Sequence, residues 1–389
     1  MRRTYYGGKD FRRAITIEDL RRIARRRLPN FIYEYVEGGA EDEVTLKRNR
    51  DVFERVAWLP RALVGLWPPD LRTELFGKPL GLPLVIGPTG FNGMLWPQGD
   101  LALARAADAA GIAFTLSTVS NFDVVALNPQ LQRPSWFQLY PLKDQKTSDR
   151  LIERAQAAGC DKLVVTVDVP ALGAREWDQR NYSRPLKLSP SSVLDVLLHP
   201  RWLWQVMLPH GAPEFANLTE FLPAGARSAL QGVRFMGTQI NPTLAWADIE
   251  RMRSRWQGKL VLKGILCVED AKRSVEAGAD GIVLSNHGGR QLDSCVTGIE
   301  LVGQCAAEVG DRLAIIVDGG FRRGSDVLKA VALGADAVML GRAALYGLAA
   351  GGEAGVGHAL SLLRVEMERA MTLLGCHTLD ELGPHLIRA

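Results

Sequence analysis

The sequence predicts a closed parallel (β/α)8 barrel, the TIM barrel, with an N-terminal helical cap and a long insertion after the fourth strand. Three observations lead there. Eight short apolar runs end in polar or glycine residues: LPLVIGP, IAFTLS, WFQLY, KLVVTVD, KLVLKG, GIVLSNH, LAIIVDGG and AVMLGR. Most are followed by alanine-rich text with helical spacing, such as DLALARAADAAG, and strands alternating with helices mark a parallel sheet. The runs end near Pro88, Ser117, Tyr140, Asp168, Lys263, His287, Asp318 and Gly341, so six of the seven spacings lie between 23 and 31 residues, the length of one strand-helix unit.

In chain order, residues 1–80 carry helical text before the first strand. Thr16 followed by Asp19 resembles an acidic capping box, a helix start, and the segment reads as a cap on the barrel rather than a separate domain. The first four units follow without interruption. The fourth spacing, 95 residues between Asp168 and Lys263, places an insertion at about 174–240, where loops at strand C-termini tolerate added chain. The whole chain, 1–389, is expected to form one domain. An open doubly wound sheet would want a G-x-G-x-x-G turn after its first strand, and GPTGFNG has the wrong spacing.

At 47% hydrophobic and 23% charged residues, the chain can bury one large core. Its net charge of +4 is modest, and the basic excess of Arg21, Arg22, Arg25, Arg26 and Arg27 reads first as a solvated helix face and second as attraction to anionic lipid. No nucleic-acid reading motif accompanies it. Cys160, Cys267, Cys295, Cys305 and Cys376 are scattered, without a C-x-x-C pair, which suggests a reducing compartment and no disulfide framework. The N-terminal text lacks an apolar signal core, no run is long enough to span a bilayer, and a cytoplasmic location is expected. No metal-ligand spacing stands out.

Barrel enzymes carry their reacting groups at strand C-termini, so Tyr140, Asp168, Lys263, His287 and Arg290 should converge on one mouth. The last two strands end in DGGFRRG and GR, glycines and arginines suited to a phosphate, which barrels often bind there. SNHGGRQLD offers a base near neutral pH in His287 and a carboxylate fork in Arg290, and Asp168 could orient the imidazole.

YEYVEGGAEDE (33–43), GPTG (87–90), WFQLY (136–140), TVD (166–168), LKG (262–264), SNHGGRQLD (285–293), DGGFRRGSDVLKAVALG (318–334) and GRAALYGLAAGGEAGV (341–356) together resemble the FMN-dependent 2-hydroxy acid dehydrogenases and oxidases. The resemblance spans nearly the whole chain from about residue 16. It implies FMN as cofactor and oxidation of a small L-2-hydroxy acid to the 2-keto acid. It makes His287 the base and Asp168 its partner, Arg290 and Arg175 the carboxylate clamps, and Tyr35 and Tyr140 the hydroxyls of the substrate site. Lys263 matches the lysine beside the flavin pyrimidine ring, where a fixed cation stabilises the reduced flavin. Pro88, Thr89, Gly90, Ser117, Gln138, Thr166 and Ser285 match positions around the isoalloxazine ring; Asp318, Gly319, Gly320, Phe321, Arg322, Gly341 and Arg342 match the ribityl and phosphate site. The residue types suit the chemistry, which requires an anchored carboxylate, a base and a two-electron sink that side chains cannot provide.

FNGMLWPQGDLALARAA (91–107) most closely resembles the mandelate dehydrogenases of that family, whereas HPRWLWQVML is similar to an insertion in its membrane-associated lactate dehydrogenases. Val119 stands where glycolate oxidase has tryptophan and leaves room for a larger side chain than glycolate's hydrogen; the two resemblances point to different substrates, and mandelate, oxidised to benzoylformate, is favoured modestly over lactate. Gly90 stands where many oxidases carry alanine, which resembles the dehydrogenases that pass electrons to a quinone-type membrane acceptor rather than to oxygen. Segment 192–211 is apolar and tryptophan-rich but interrupted by Asp195, His199 and Arg201. It reads as an interfacial anchor at the inner face of the cell membrane, with a buried helix or a partner-subunit contact as the alternative. The resemblance also implies a homo-oligomer, a tetramer. A nucleotide-converting barrel of the inosine-monophosphate dehydrogenase type would need a cysteine in a flexible loop, and neither Cys267 nor Cys295 has that setting.

Overall fold

A computed structural model of the chain describes residues 6–65, 68–184, 187–222 and 229–388. Eight parallel strands close into a barrel: β1 (Leu84–Ile86), β2 (Ala113–Ser117), β3 (Trp136–Leu139), β4 (Lys162–Thr166), β5 (Lys259–Ile265), β6 (Gly281–Leu284), β7 (Ala314–Asp318) and β8 (Ala337–Leu340). Neighbours in sequence are neighbours in space, and β8 returns to β1 through Val338↔Leu84, Met339↔Val85 and Leu340↔Ile86.

Alternation along these strands builds two cores. Val85, Val164, Val261, Val283, Ile316 and Met339 point inward and fill the barrel with Trp136, while Leu84, Ile86, Leu163, Leu262, Ile282 and Val317 pack outward beneath the helices. Both faces are buried, which explains why the runs read as continuously apolar. A hairpin of Thr73–Leu75 and Lys78–Leu80 plugs the far end, where Leu75 and Leu80 join the inner core and Phe76 packs edge-on against Trp136.

The cap comprises α1 (Ile17–Arg27), α2 (Asn30–Glu37) and α3 (Val44–Arg55). The capping box forms: the Asp19 N–H donates to Thr16 Oγ1 and the Thr16 N–H to Asp19 Oδ2, each at 3.1 Å. Ile17, Leu20, Ile23, Ala24 and Leu28 are buried in the outer core. The arginine face of α1 is largely neutralised, with Arg21 on Glu18 and Glu37, Arg22 on Glu18, and Arg25 near Glu34.

Outer helices follow: α4 (Gly99–Ala109), α5 (Gln145–Ala157), then α6 (Pro190–Leu197), α7 (Ala229–Gln239) and α8 (Trp246–Arg255) between β4 and β5, and α9 (Val268–Glu276), α10 (Gly298–Val309), α11 (Gly324–Ala332) and α12 (Arg342–Leu374) after β5, β6, β7 and β8. The insertion doubles back toward the barrel mouth: Trp202 Nε1 donates to the Met94 carbonyl at 2.7 Å and Asn217 is fully buried among the carbonyls after β2. All five cysteines are free thiols. No helix among the described residues is long and apolar enough to cross a membrane.

Candidate active site

At the strand C-termini a cavity of about 460 Å³ opens under α2. The cap is held over it by backbone carbonyls used as acceptors. Arg290 Nη1 donates to Gly38 O at 2.9 Å, and Arg342 donates to Val36 O, Gly38 O and Gly288 O at 2.9, 3.0 and 2.7 Å. Tyr35 is thereby fixed above the mouth, its ring 5.3 Å from the Arg290 guanidinium and 5.7 Å from that of Arg175.

His287 leaves β6 with φ +57, followed by Gly288 at +65 and Gly289 at +75. Three successive left-handed residues are unusual, and only the two glycines adopt that backbone freely, so the turn stores strain at His287. Ser285 Oγ fixes it by accepting the His287 N–H at 3.0 Å, while Asn286 Oδ1 accepts the Gly289 N–H at 3.1 Å and is held by Asn49 at 2.9 Å. The result aims His287 Nδ1 at Asp168 Oδ1, 2.9 Å away. Burial alone would raise the Asp168 pKa, but the adjacent His287 and Lys263 outweigh it and hold the carboxyl below its ordinary range.

Lys263 Nζ is buried, 3.0 Å from Ser285 Oγ and 3.1 Å from Asp318 Oδ2. Burial opposes its charge; Asp318, then Asp168 and Tyr140, reverse that and raise its pKa. Burial pushes the Tyr140 hydroxyl up to about 12, so it stays protonated at neutral pH. Burial, then Arg175 and Arg342, lower Arg290 to about 9. Neither Arg175 nor Arg290 has a carboxylate within ion-pair distance among the described residues, so two like charges face one cavity.

Tyr35, Tyr140, Arg175, Lys263, His287 and Arg290 therefore line one cavity, with Pro88, Thr89, Gly90, Thr166, Asp318, Gly319, Gly320, Phe321, Arg322, Gly341 and Arg342. Asp168 stands behind His287. Ser117, Gln138 and Ser285 lie beneath the surface: Ser117 Oγ donates to Gln138 Oε1 at 2.8 Å, and Gln138 Nε2 to Thr166 Oγ1 at 2.9 Å. Arg342, expected at the phosphate, places three of its five N–H groups on Val36 O and Gly38 O of the cap and Gly288 O of the loop after β6, and Asp318 pairs with Lys263 through Oδ2.

Several contributors were missed by sequence reasoning. Gln291 ties the loops after β4 and β6, donating to Asp168 O and Ala171 O at 3.0 and 2.8 Å. Phe91 packs edge-on between Tyr35 and Phe215, and the insertion supplies Phe215, Val233, Met236, Ile240 and Leu244 as an apolar wall. Gln291 and Phe91 stand inside the SNHGGRQLD and FNGMLWPQGDLALARAA motifs, but nothing in the sequence marks the insertion's wall residues.

The cavity suits FMN by its own chemistry. Gly319 and Gly320 have φ of +102 and +81, and a side chain at Gly320 would meet Asn49 O at 1.8 Å, so only glycine lets this turn pack on α3 while its backbone lines the cavity. Gly341 has open space where a Cβ would stand. Asp318 Oδ1 is buried without a hydrogen-bond partner among the described residues, beside a buried lysine.

Residues 24–389 match the family model described as FMN-dependent dehydrogenase. The chain is 44% identical to (S)-mandelate dehydrogenase of Pseudomonas putida over 373 residues, covering 96% of this chain and 93% of that one. It is 41% identical to L-lactate dehydrogenase of Alcaligenes faecalis over 371 residues, 95% and 97% of the two chains. A crystal structure of (S)-mandelate dehydrogenase described as a monotopic membrane protein superposes with a TM-score of 0.92 at 44% identity, covering 97% of this chain and 99% of that one. The chain belongs to the FMN-dependent dehydrogenase family, alongside its 2-hydroxy acid dehydrogenases, and is an FMN-dependent oxidoreductase.

Proposed function

We propose that this enzyme oxidises an L-2-hydroxy acid with an aryl side chain, (S)-mandelate, to the 2-keto acid, benzoylformate. The observation that carries the reading is the His287–Asp168 pair set beside two arginines that lack carboxylate partners, at the edge of a wall built from Phe91, Val119, Phe215 and Met236. The arginines attract a carboxylate, Arg290 through its planar fork, and the apolar wall accommodates a phenyl ring. Because the Nδ1–H donates to Asp168, Nε2 is the free base of the neutral imidazole and takes the proton of the substrate. Asp168, held ionised, then stabilises the imidazolium that forms. Tyr140, protonated, is a donor for the substrate oxygens.

Lys263, Ser285, Gln138, Thr166, Ser117 and the loop Pro88–Gly90 would hold the flavin ring, and Gly319 through Arg322 with Gly341 and Arg342 its ribityl phosphate. Bound FMN supplies the two-electron sink. Lys263, buried and held charged by Asp318, would supply the positive charge that favours an anionic reduced ring.

Electrons pass, in this reading, to a quinone-type acceptor at a membrane surface on the cytoplasmic side. Leu194, Leu197, Leu198, Trp204 and Leu208 are exposed on the insertion, Leu198 and Trp204 by 71% and 70%, which supports contact with the lipid interface through a single domain that does not span it. Steady-state rates with (S)-mandelate, (S)-lactate and glycolate, each with dye and with oxygen, test the proposal. Highest kcat/KM for mandelate with dye supports it; preference for lactate or glycolate, or for oxygen, overturns the substrate or the acceptor half respectively.

A further inference from the structure

Asp100 is a buried carboxylate that the proposed chemistry does not use. It sits in the first turn of α4, only 1% exposed, where the helix N-terminus favours negative charge. Both its oxygens are engaged, and by different loops: Asn92 Nδ2 donates to Oδ1 at 2.7 Å, and the Asn121 N–H donates to Oδ2 at 2.8 Å. Asn92 in turn clasps Thr89, donating to its carbonyl at 3.1 Å and its hydroxyl at 2.9 Å. The Asn121 side chain accepts the Gly93 N–H at 2.9 Å and donates to Glu214 O at 2.8 Å, next to Phe215. The Asp100 carboxylate thus ties the loop after β1 to the loop after β2, and the Asn121 side chain carries the tie on to the insertion.

Those three segments carry Gly90 and Phe91, Val119, and Phe215, the wall residues that meet at the substrate end of the cavity. They are packed without slack, since a Cβ on Gly90 would stand 2.8 Å from Val119 Cγ2 and one on Gly93 3.0 Å from Pro213. We infer that Asp100 is a positioning residue for substrate selectivity, setting the separation of the walls that receive the substituent at C2 of the acid. Burial pushes its carboxyl up to about 6, while the Asn92 and Asn121 donors pull the other way. The Asn121 N–H can only donate, and Asn92 can present its Oδ1 to an introduced amide only by flipping and giving up its bond to Thr89 O, so Asp100→Asn loses part of the clasp either way.

The inference rests on the 2-hydroxy acid reading, and its test separates the two. Binding of benzoylformate and of pyruvate to the holoenzyme is measured by flavin absorbance titration, beside kcat/KM for mandelate and lactate, in wild type, Asp100→Asn and Asn121→Ala. Asn121→Ala keeps the backbone bond to Asp100 and cuts only the links to Gly93 and Glu214, so it tests the same wall in a protein whose folding is little threatened. Both variants should weaken benzoylformate roughly tenfold relative to pyruvate, within the range a pocket wall contributes to discrimination, with FMN content unchanged. A purely structural role predicts that both ligands weaken together, and an unchanged binding ratio in FMN-loaded Asp100→Asn, or in Asn121→Ala for the link to the insertion, overturns the inference. If the ratio shifts although neither hydroxy acid is turned over by wild type, the selectivity role stands and the proposed reaction fails.

Discussion

His287 Nδ1 lies 2.9 Å from Asp168 Oδ1, and the histidine that makes this contact is held at φ +57, where few side chains settle. The strained turn after β6 and the loop after β4 meet at that hydrogen bond. Asp168→Asn preserves the shape, which matters because a Cβ on Gly264 would already touch Asp168 at 2.5 Å, but removes the charge that stabilises an imidazolium. Turnover should fall by roughly 10²–10⁴-fold with FMN retained, as expected for general base catalysis impaired through its partner. Steady-state kinetics of the yellow variant decide it, and turnover near wild type removes Asp168 from the mechanism.

Arg290→Lys keeps a charge and loses the fork. KM for the hydroxy acid should rise roughly tenfold, the worth of one charge-assisted hydrogen bond, with kcat lowered as well. An unchanged KM places the carboxylate elsewhere.

The wild-type pH profile should show the same residue. Arg290, lowered to about 9, is charged through the neutral range and loses its charge as pH rises through that value, so KM should be flat near neutrality and climb above about pH 9. For folding the sign is opposite. Between about 9 and the ordinary arginine range above it, the unfolded chain holds the extra proton, so the contribution of Arg290 to stability improves with rising pH. A KM that stays flat through pH 10 contradicts the first half.

Gly90→Ala puts a methyl 2.8 Å from Val119 Cγ2 and 3.2 Å from Val119 O, where backbone as well as side chain must yield. We expect altered packing at the flavin edge to speed reoxidation of the reduced enzyme by oxygen several-fold and to disfavour aryl substrates. Stopped-flow mixing of reduced enzyme with oxygen measures it; no acceleration separates Gly90 from acceptor choice.

The membrane contact is tested at its exposed face rather than by deleting 192–211. Trp202 within that segment is buried and bonded to Met94 O, so deletion would disturb Phe91 and the site, whereas Leu194, Leu198 and Trp204 face outward. Serine at those three positions should move the enzyme from the membrane to the soluble fraction while dye-linked activity stays within about twofold, since exposed apolar side chains add little to stability. Retention on membranes contradicts the anchoring role.

The barrel and the polar side chains gathered at its mouth were legible because the signal is local. Apolar runs buried on both faces end in polar residues, with Lys263 and Asp318 at the C-terminal ends of β5 and β7 and Asp168 and His287 just beyond β4 and β6. The helix start at Thr16 was readable for the same reason, as cap and partner lie three residues apart. What escaped is non-local. Asn49 pairs with Asn286 across 237 residues, Gln291 reaches back to Asp168, and Asn121 finds Glu214, none with a period or spacing to announce it. Phe215 and Met236 were hidden in the insertion, where the apolar content drew attention to lipid rather than to the pocket wall.

Anaerobic mixing with (S)-mandelate, followed by the flavin absorbance, tests the central claim most directly. Wild-type enzyme should bleach fully, and His287→Gln, with FMN still bound, should bleach on the order of 10²–10⁴-fold more slowly. A wild-type protein that stays yellow, or a variant that bleaches as fast as wild type, contradicts the account.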